Sequence, residues 1–206
     1  MRFEEWEPYY TRILDDFHFS REEDERAARI LQELAPRDDL PLLKERCAGR
    51  HVTVCGRAPT LGEELSEIRG VIFAADGAAN LLYDRGIRPS AIFTDLDGAT
   101  WRYLEMNREG TVLVVHAHGD NIPLLEEWVP RVSGPFVATT QSTPLPGVHN
   151  FGGFSDGDRA AFAADALGAK SISFVGFDLD DRSANPVKQG KLAWARILLR
   201  TIGYEL

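Results

Sequence analysis

Cysteine is scarce: Cys47 and Cys55 are the only two in 206 residues, which excludes a disulfide framework and points to a reducing compartment. No run of about eighteen apolar residues occurs, so no membrane span is expected. Met1 to Tyr10 carries Arg2 and three glutamates in place of an apolar core, so the reading is a cytoplasmic protein without a secretory segment. Basic residues are outnumbered, 23 Lys and Arg against 32 Asp and Glu, for a net charge of −9. That balance excludes a charge-driven grip on nucleic acid, and any phosphate bound here must be attracted by something other than net charge. Neither GxGxxG nor GxxxxGK[ST] is present, so the usual dinucleotide and phosphate-loop fingerprints are missing too. The chain is nevertheless long enough to bury roughly 70% of its unfolded surface without metal or disulfide staples.

Two regions differ in rhythm. Residues 1–48 read as a helical segment. Ser20 and Glu23 have the spacing of a capping box, and Ala27, Ile30, Leu31 and Leu34 then repeat at helical period until Pro36. The charged run Arg21 to Arg26 reads as a solvated face, and the segment is assigned to packing and dimer contacts. Residues 49–206 alternate short β-branched runs with helical stretches. The runs are His51 to Cys55, Val71 to Ala74, Ala91 to Thr94, Val112 to His116, Phe136 to Thr139 and Ile172 to Gly176. That alternation predicts an α/β fold, a mostly parallel sheet with helices on both faces. In such sheets ligands sit at the carboxyl ends of the strands, near a topological switch point.

The residues that follow the runs are strongly acidic. After the first comes Gly56-Arg57-Ala58-Pro59-Thr60-Leu61-Gly62-Glu63, where Thr60 and Glu63 have capping-box spacing and a glycine-rich turn offers amides to an anion. Asp76 follows the second run, as an N-cap or as a site residue. Asp95 and Asp97 follow the third; two apart in extended chain they point the same way, an arrangement that oxygen-seeking Mg²⁺ bridges. His116-Ala117-His118-Gly119-Asp120-Asn121 imitates a two-zinc motif, but Asn121 stands where a histidine is required, and Asp120 as a magnesium or ribose ligand is more economical. Ser155 and Asp158 form a third capping-box pattern beside Gly152-Gly153, with Phe151 and Phe154 available to stack on a heterocycle. Asp178 follows the last run, and Lys188 and Lys191 open the final helix as candidate triphosphate contacts. So many carboxylates at one sheet edge repel one another unless a cation joins them.

Ala74-Ala75-Asp76-Gly77-Ala78-Ala79-Asn80, Gly86 to Pro89 and Thr94-Asp95-Leu96-Asp97-Gly98 resemble thiamin pyrophosphokinase, with departures from its pattern at Ala78, Ser90, Thr94 and Gly98. Together with Val115 to Asn121, Thr139-Thr140-Gln141, Asn150 to Arg159 and the turn at Gly56, the chain resembles the archaeal 6-hydroxymethyl-7,8-dihydropterin pyrophosphokinase family over about residues 52–200. The resemblance implies a catalytic domain like that of thiamin pyrophosphokinase. It also implies Mg²⁺-dependent pyrophosphoryl transfer from ATP to the hydroxymethyl group of the reduced pterin, releasing AMP, on the way to tetrahydromethanopterin or a folate. On that reading Asp76, Asp95 and Asp97 are metal ligands, with Asp95, Asp97 and Asp120 catalytic. Gly56, Pro59, Thr60, Asp76, Gly77, Lys188 and Lys191 face the nucleotide, and Asn121, Gln141, Phe154 and Asp156 face the pterin. A homodimer, as in the related thiamin enzymes, is implied, with no nucleic-acid or membrane partner. The alternatives are a thiamin pyrophosphokinase, a metal-dependent glycosyltransferase using the Asp-x-Asp pair, and a nucleotide-sensing module.

Overall fold

The structure is a computed structural model that describes residues 1–206. Three helices come first: α1 (Phe3–Phe17), α2 (Arg21–Leu34) and α3 (Leu40–Cys47). At the start of α2 the Ser20 hydroxyl accepts from the Glu23 amide (3.3 Å), but the Glu23 carboxylate turns to Arg26, so the expected box is half made. The chain then alternates: β1 (His51–Cys55), α4 (Leu61–Glu64), β2 (Val71–Ala75), α5 (Ala78–Asp84), β3 (Ala91–Thr94), α6 (Trp101–Arg108), β4 (Val112–Ala117), α7 (Ile122–Trp128), β5 (Phe136–Thr140), β6 (Val148–His149), α8 (Asp156–Ala166), β7 (Ser171–Val175) and α9 (Pro186–Thr201). No helix is long and apolar enough to cross a membrane.

The strands form one seven-stranded sheet in the order β6-β5-β4-β3-β2-β1-β7, and every neighbouring pair is parallel. Side-chain alternation divides the core into two layers. On one face Cys55, Ala74, Ile92, Leu113, Val115 and Phe136 pack against α4 to α7 and against Ala27 and Leu31 of α2. On the other, Val54, Phe73, Phe93, Val114 and Val137 pack against Leu43 of α3, the alanine-rich side of α8 and Leu199 of α9. A third cluster joins Trp6, Tyr10 and Ile13 of α1 to Phe162, Trp194 and Leu198. The helices before residue 48 therefore contribute to all three apolar clusters.

The chain leaves β1 for β2 on one face and returns through α8 to β7 on the other side of β1, which places the switch point at the carboxyl ends of β1 and β7. Gly56 and Gly176 let the two strand ends meet. A Cβ on either would come within 2.5 Å of the other's carbonyl oxygen, and Gly176 has φ +67. The capping box expected at Thr60 does not form. Thr60 is itself helical and caps nothing, and it is Glu64 whose carboxylate accepts from the Gly176 amide (2.6 Å).

Candidate active site

Three carboxylates meet above the strand ends. One oxygen each from Asp76, Asp95 and Asp156 lies within 4.8 Å of the others. Asp76 follows β2 with φ +40 and does not cap α5; its Oδ1 accepts from the Thr94 hydroxyl (2.7 Å) and the Tyr103 hydroxyl (3.3 Å). Gly98 is required beside it, because a Cβ there would run into the Asp76 carboxylate. Asp95 follows β3 and accepts from the Asp97 amide at Oδ1 (3.1 Å) and from His118 Nε2–H at Oδ2 (3.4 Å). The Asp120 amide donates to His118 Nδ1 (3.3 Å), which leaves the proton of the neutral ring on Nε2. Asp156 opens α8 and accepts from Arg159 Nη1 (3.3 Å).

The sequence expectation for Asp97 rested on extended chain between the two aspartates. Leu96 instead adopts φ +75, and Asp97 swings to the exposed edge, outside the group of three; Asp156, expected to meet the pterin, takes the third place. Partial desolvation of its carboxylate and the neighbouring Asp95 and Asp76 push the Asp97 carboxyl up to about 6, although the residue as a whole is exposed. Burial would also raise Asp95, but the His118 hydrogen bond, the Arg159 guanidinium and the Asp97 amide outweigh it and hold Asp95 below the ordinary carboxylate range. Asp156 is pushed up by burial and by Asp95, with Arg159 only partly opposing. An all-oxygen, anionic, mutually repelling set of this kind fits a hard divalent cation such as Mg²⁺. No histidine or cysteine joins it, and His116 is buried with its Nδ1 on the Thr139 hydroxyl, so the two-zinc pattern is not assembled.

Two cavities lie near the carboxylates: Asp76 and Asp156 line the first, and the second meets Asp95 only through His118. The first, 560 Å³, is lined by Asp76, Asp156, Asp178 and Asp181 together with Arg57, Lys188 and Lys191. Gly56, Pro59 and Gly77 also line it, whereas Thr60 does not. Lys188 is paired only loosely with Asp181 (3.5 Å), and Lys191 Nζ stands 5.8 Å from the Phe154 ring centroid. The second cavity, 300 Å³, lies between the α1–α2 turn and the segment His118-Gly119-Asp120.

Several residues expected to face a pterin are committed elsewhere. Asn121 is buried, its amide donating to the Asp95 and His116 carbonyls (2.8 and 2.7 Å) and its oxygen accepting from the His118 amide. Gln141 is buried too, donating to Asp24 and accepting from Arg159, although it contributes to the wall of the second cavity. Phe154 is core, its ring against Phe17 at 5.0 Å. Asp120 is exposed on the second cavity and does not join the three carboxylates. Arg57 and Arg159 stand inside sequence motifs that do not single them out, and His118 belongs to the two-zinc pattern that Asn121 argues against. Asp24 lies in the charged run that reads as a solvated face. Asp24 is 2% exposed and accepts from Tyr10, Gln141 and the Gly119 amide, and no local signal marks it.

A family model described as "MptE-like: 6-hydroxymethylpterin diphosphokinase MptE-like" matches residues 26–183, a span that holds Asp76, Asp95 and Asp156. The chain belongs to the MptE-like family. Among its relatives, the 6-hydroxymethyl-7,8-dihydropterin pyrophosphokinase of Pyrococcus furiosus is 42% identical over 97% of this chain and 93% of that protein. The enzymes of that name from Methanothermobacter thermautotrophicus and Methanocaldococcus jannaschii are 38% and 35% identical, over 97% and 86% of this chain and 94% and 80% of theirs. Among solved structures, the MAf glycosyltransferase of Magnetospirillum magneticum AMB-1 aligns at a TM-score of 0.49 and 18% identity, covering 82% of this chain and 29% of that one; a likeness this low says nothing about activity. The MptE-like match begins inside α2, so the family's sequence pattern includes part of the N-terminal helical segment.

Proposed function

We propose that the protein transfers pyrophosphate from ATP to the hydroxymethyl group of 6-hydroxymethyl-7,8-dihydropterin in a Mg²⁺-dependent reaction that releases AMP and supplies a methanopterin- or folate-type pathway. The observation that carries this reading is the group Asp76, Asp95 and Asp156, of which Asp76 and Asp156 line a cavity that Arg57, Lys188 and Lys191 line as well. Membership of the MptE-like family and the names of the three relatives support the acceptor.

In this reaction the acceptor oxygen forms a bond to the β-phosphorus, the bond from that phosphorus to the α–β bridging oxygen breaks, and the bridging oxygen leaves with AMP. Protein catalysis of such a step is mainly positioning and charge stabilisation. Asp76, Asp95 and Asp156 would hold Mg²⁺, which when bound neutralises phosphate charge. Thr94 and Tyr103 orient Asp76, and His118 orients Asp95. Arg57, Lys188 and Lys191 bind the phosphates, which explains how a chain of net charge −9 takes a polyanion. Asp97, at the exposed edge beside the three ligands, receives the proton of the attacking hydroxyl.

The test is to incubate the protein with ATP, Mg²⁺ and 6-hydroxymethyl-7,8-dihydropterin, with thiamin in parallel, and to measure AMP. AMP formed in step with pterin diphosphate is the expected result. AMP with thiamin alone, or none with the pterin, would contradict it.

A further inference from the structure

A transfer between two substrates needs two binding places next to one reacting centre, and the two cavities differ in chemistry as such a pair would. Arg57, Lys188 and Lys191 line the 560 Å³ cavity together with Asp76, Asp156, Asp178 and Asp181, so its carboxylates face compensating cations. The 300 Å³ cavity has no lysine or arginine and is walled by Glu23, Asp24 and Asp120, with Phe19 as its one apolar side chain. Its size is at the lower end of the roughly 300–1,000 Å³ typical of small-molecule sites, suited to a bicyclic ring and small for a nucleotide. Without lysine or arginine to offset them, the carboxylates of this second wall repel phosphate and favour a neutral ring that presents N–H donors. The wall is shared with the reacting centre, because His118 lines this cavity while its Nε2–H reaches Asp95.

Only one of the three carboxylates is free. Asp24 is saturated by Tyr10, Gln141 and the Gly119 amide, and Glu23 turns to Arg26. The Asp120 side chain is exposed, and only its backbone amide is engaged, at His118. Behind the wall, His116, whose ring centroid lies 6.4 Å from that of His118, does not line the cavity and keeps a buried Nε2 without a partner. Phe19 stacks on Phe17 at 5.5 Å and leaves its ring part-exposed.

We infer that this cavity, built jointly by the α1–α2 turn and the loop after β4, holds the 2-amino-4-oxo ring of the acceptor, with Asp120 reading its edge and Phe19 packing on its face. The ring's N3–H and 2-amino group are adjacent donors, and a carboxylate offers two acceptors at matching spacing. The assignment rests on the pterin acceptor proposed above. It turns the N-terminal helical segment into part of a substrate site.

The test uses the full chain and two readouts: steady-state KM for each substrate, and direct binding of the fluorescent probe 6-hydroxymethylpterin without ATP. Asp120→Asn replaces one acceptor by a donor. It is expected to weaken probe binding and raise the pterin KM at least about ten-fold while leaving the ATP KM unchanged. Phe19→Ala should weaken the probe in the same way. Wild-type protein should also prefer the pterin over 6-hydroxymethyllumazine, which carries a carbonyl in place of the 2-amino group, and Asp120→Asn should lose that preference. Wild-type AMP production together with an unchanged pterin KM in both variants would overturn the pocket and leave the activity standing. Probe binding that depends on Asp120 in a protein that makes no AMP would overturn the activity and leave the pocket standing.

Discussion

An ionised Asp97 stands beside two other carboxylates, and this gives its charge a measurable sign. The carboxyl moves from 3.8 to about 6 on folding, so the charged form destabilises the fold above that pH; the cost fades as pH falls through the window and is gone below the unfolded value. Because the residue is exposed, solvent screens most of the effect. Asp97→Asn should stabilise the metal-free protein by about 0.5 kcal/mol near pH 7.5 and by nothing near pH 3.5, read from urea unfolding at both. A loss of stability at the higher pH would mean that Asp97 has a favourable partner. Cys47 and Cys55 are also defined by their surroundings: burial pushes their thiols up to about 11 and about 12. A thiol reagent near pH 8 should label neither until the chain is unfolded, and labelling of native protein at the rate of a free thiol would contradict their burial. At this scale Asp76 and Asp95 were legible because each follows an apolar run. The departure of Asp97 was not, since it depends on a left-handed Leu96; Asp156, expected at the pterin, sits beside a capping pattern that Ser155 and Asp158 do form, which gives no sign of its place among the carboxylates.

The elements were more legible than the turns between them. Six runs of β-branched residues became strands with ends shifted by a residue at most, because strands buried on both faces read as continuous apolar runs. The seventh, β6, has two residues and carries no period to detect. The helix starts were legible in part: Ser155 caps as its spacing suggests, while Thr60 precedes a helix of a single turn that gives it nothing to cap. The close approach of β1 and β7 is invisible locally, since Gly56 and Gly176 are far apart in sequence. Gly176→Ala should therefore cost about 1–3 kcal/mol, from a positive φ and a blocked strand end together, and should raise the KM for ATP because Gly176 lines the first cavity. Unchanged urea midpoint and KM would show that the two strand ends can part freely.

Across the whole molecule, the N-terminal helices tie the site together from the side where no motif was found. Trp6 of α1 donates to the Gln141 carbonyl (2.8 Å), and Gln141 links Asp24 of α2 to Arg159, which faces Asp156. Trp6→Phe keeps most of the apolar volume and leaves that carbonyl with one donor fewer, so it should cost about 1 kcal/mol in urea unfolding; an unchanged midpoint would remove α1 from the support of the site. The boundary near residue 48 marks where motifs begin, while packing crosses it, and long-range bonds of this kind leave no pattern in a single sequence. The central claim, that Asp76, Asp95 and Asp156 form one divalent-cation site, is tested most directly by titrating Mn²⁺ as a paramagnetic stand-in for Mg²⁺ into wild-type, Asp156→Asn and Asp97→Asn proteins. Binding at one site in the wild type, lost in Asp156→Asn and kept in Asp97→Asn, is the predicted result; wild-type binding by Asp156→Asn would contradict it.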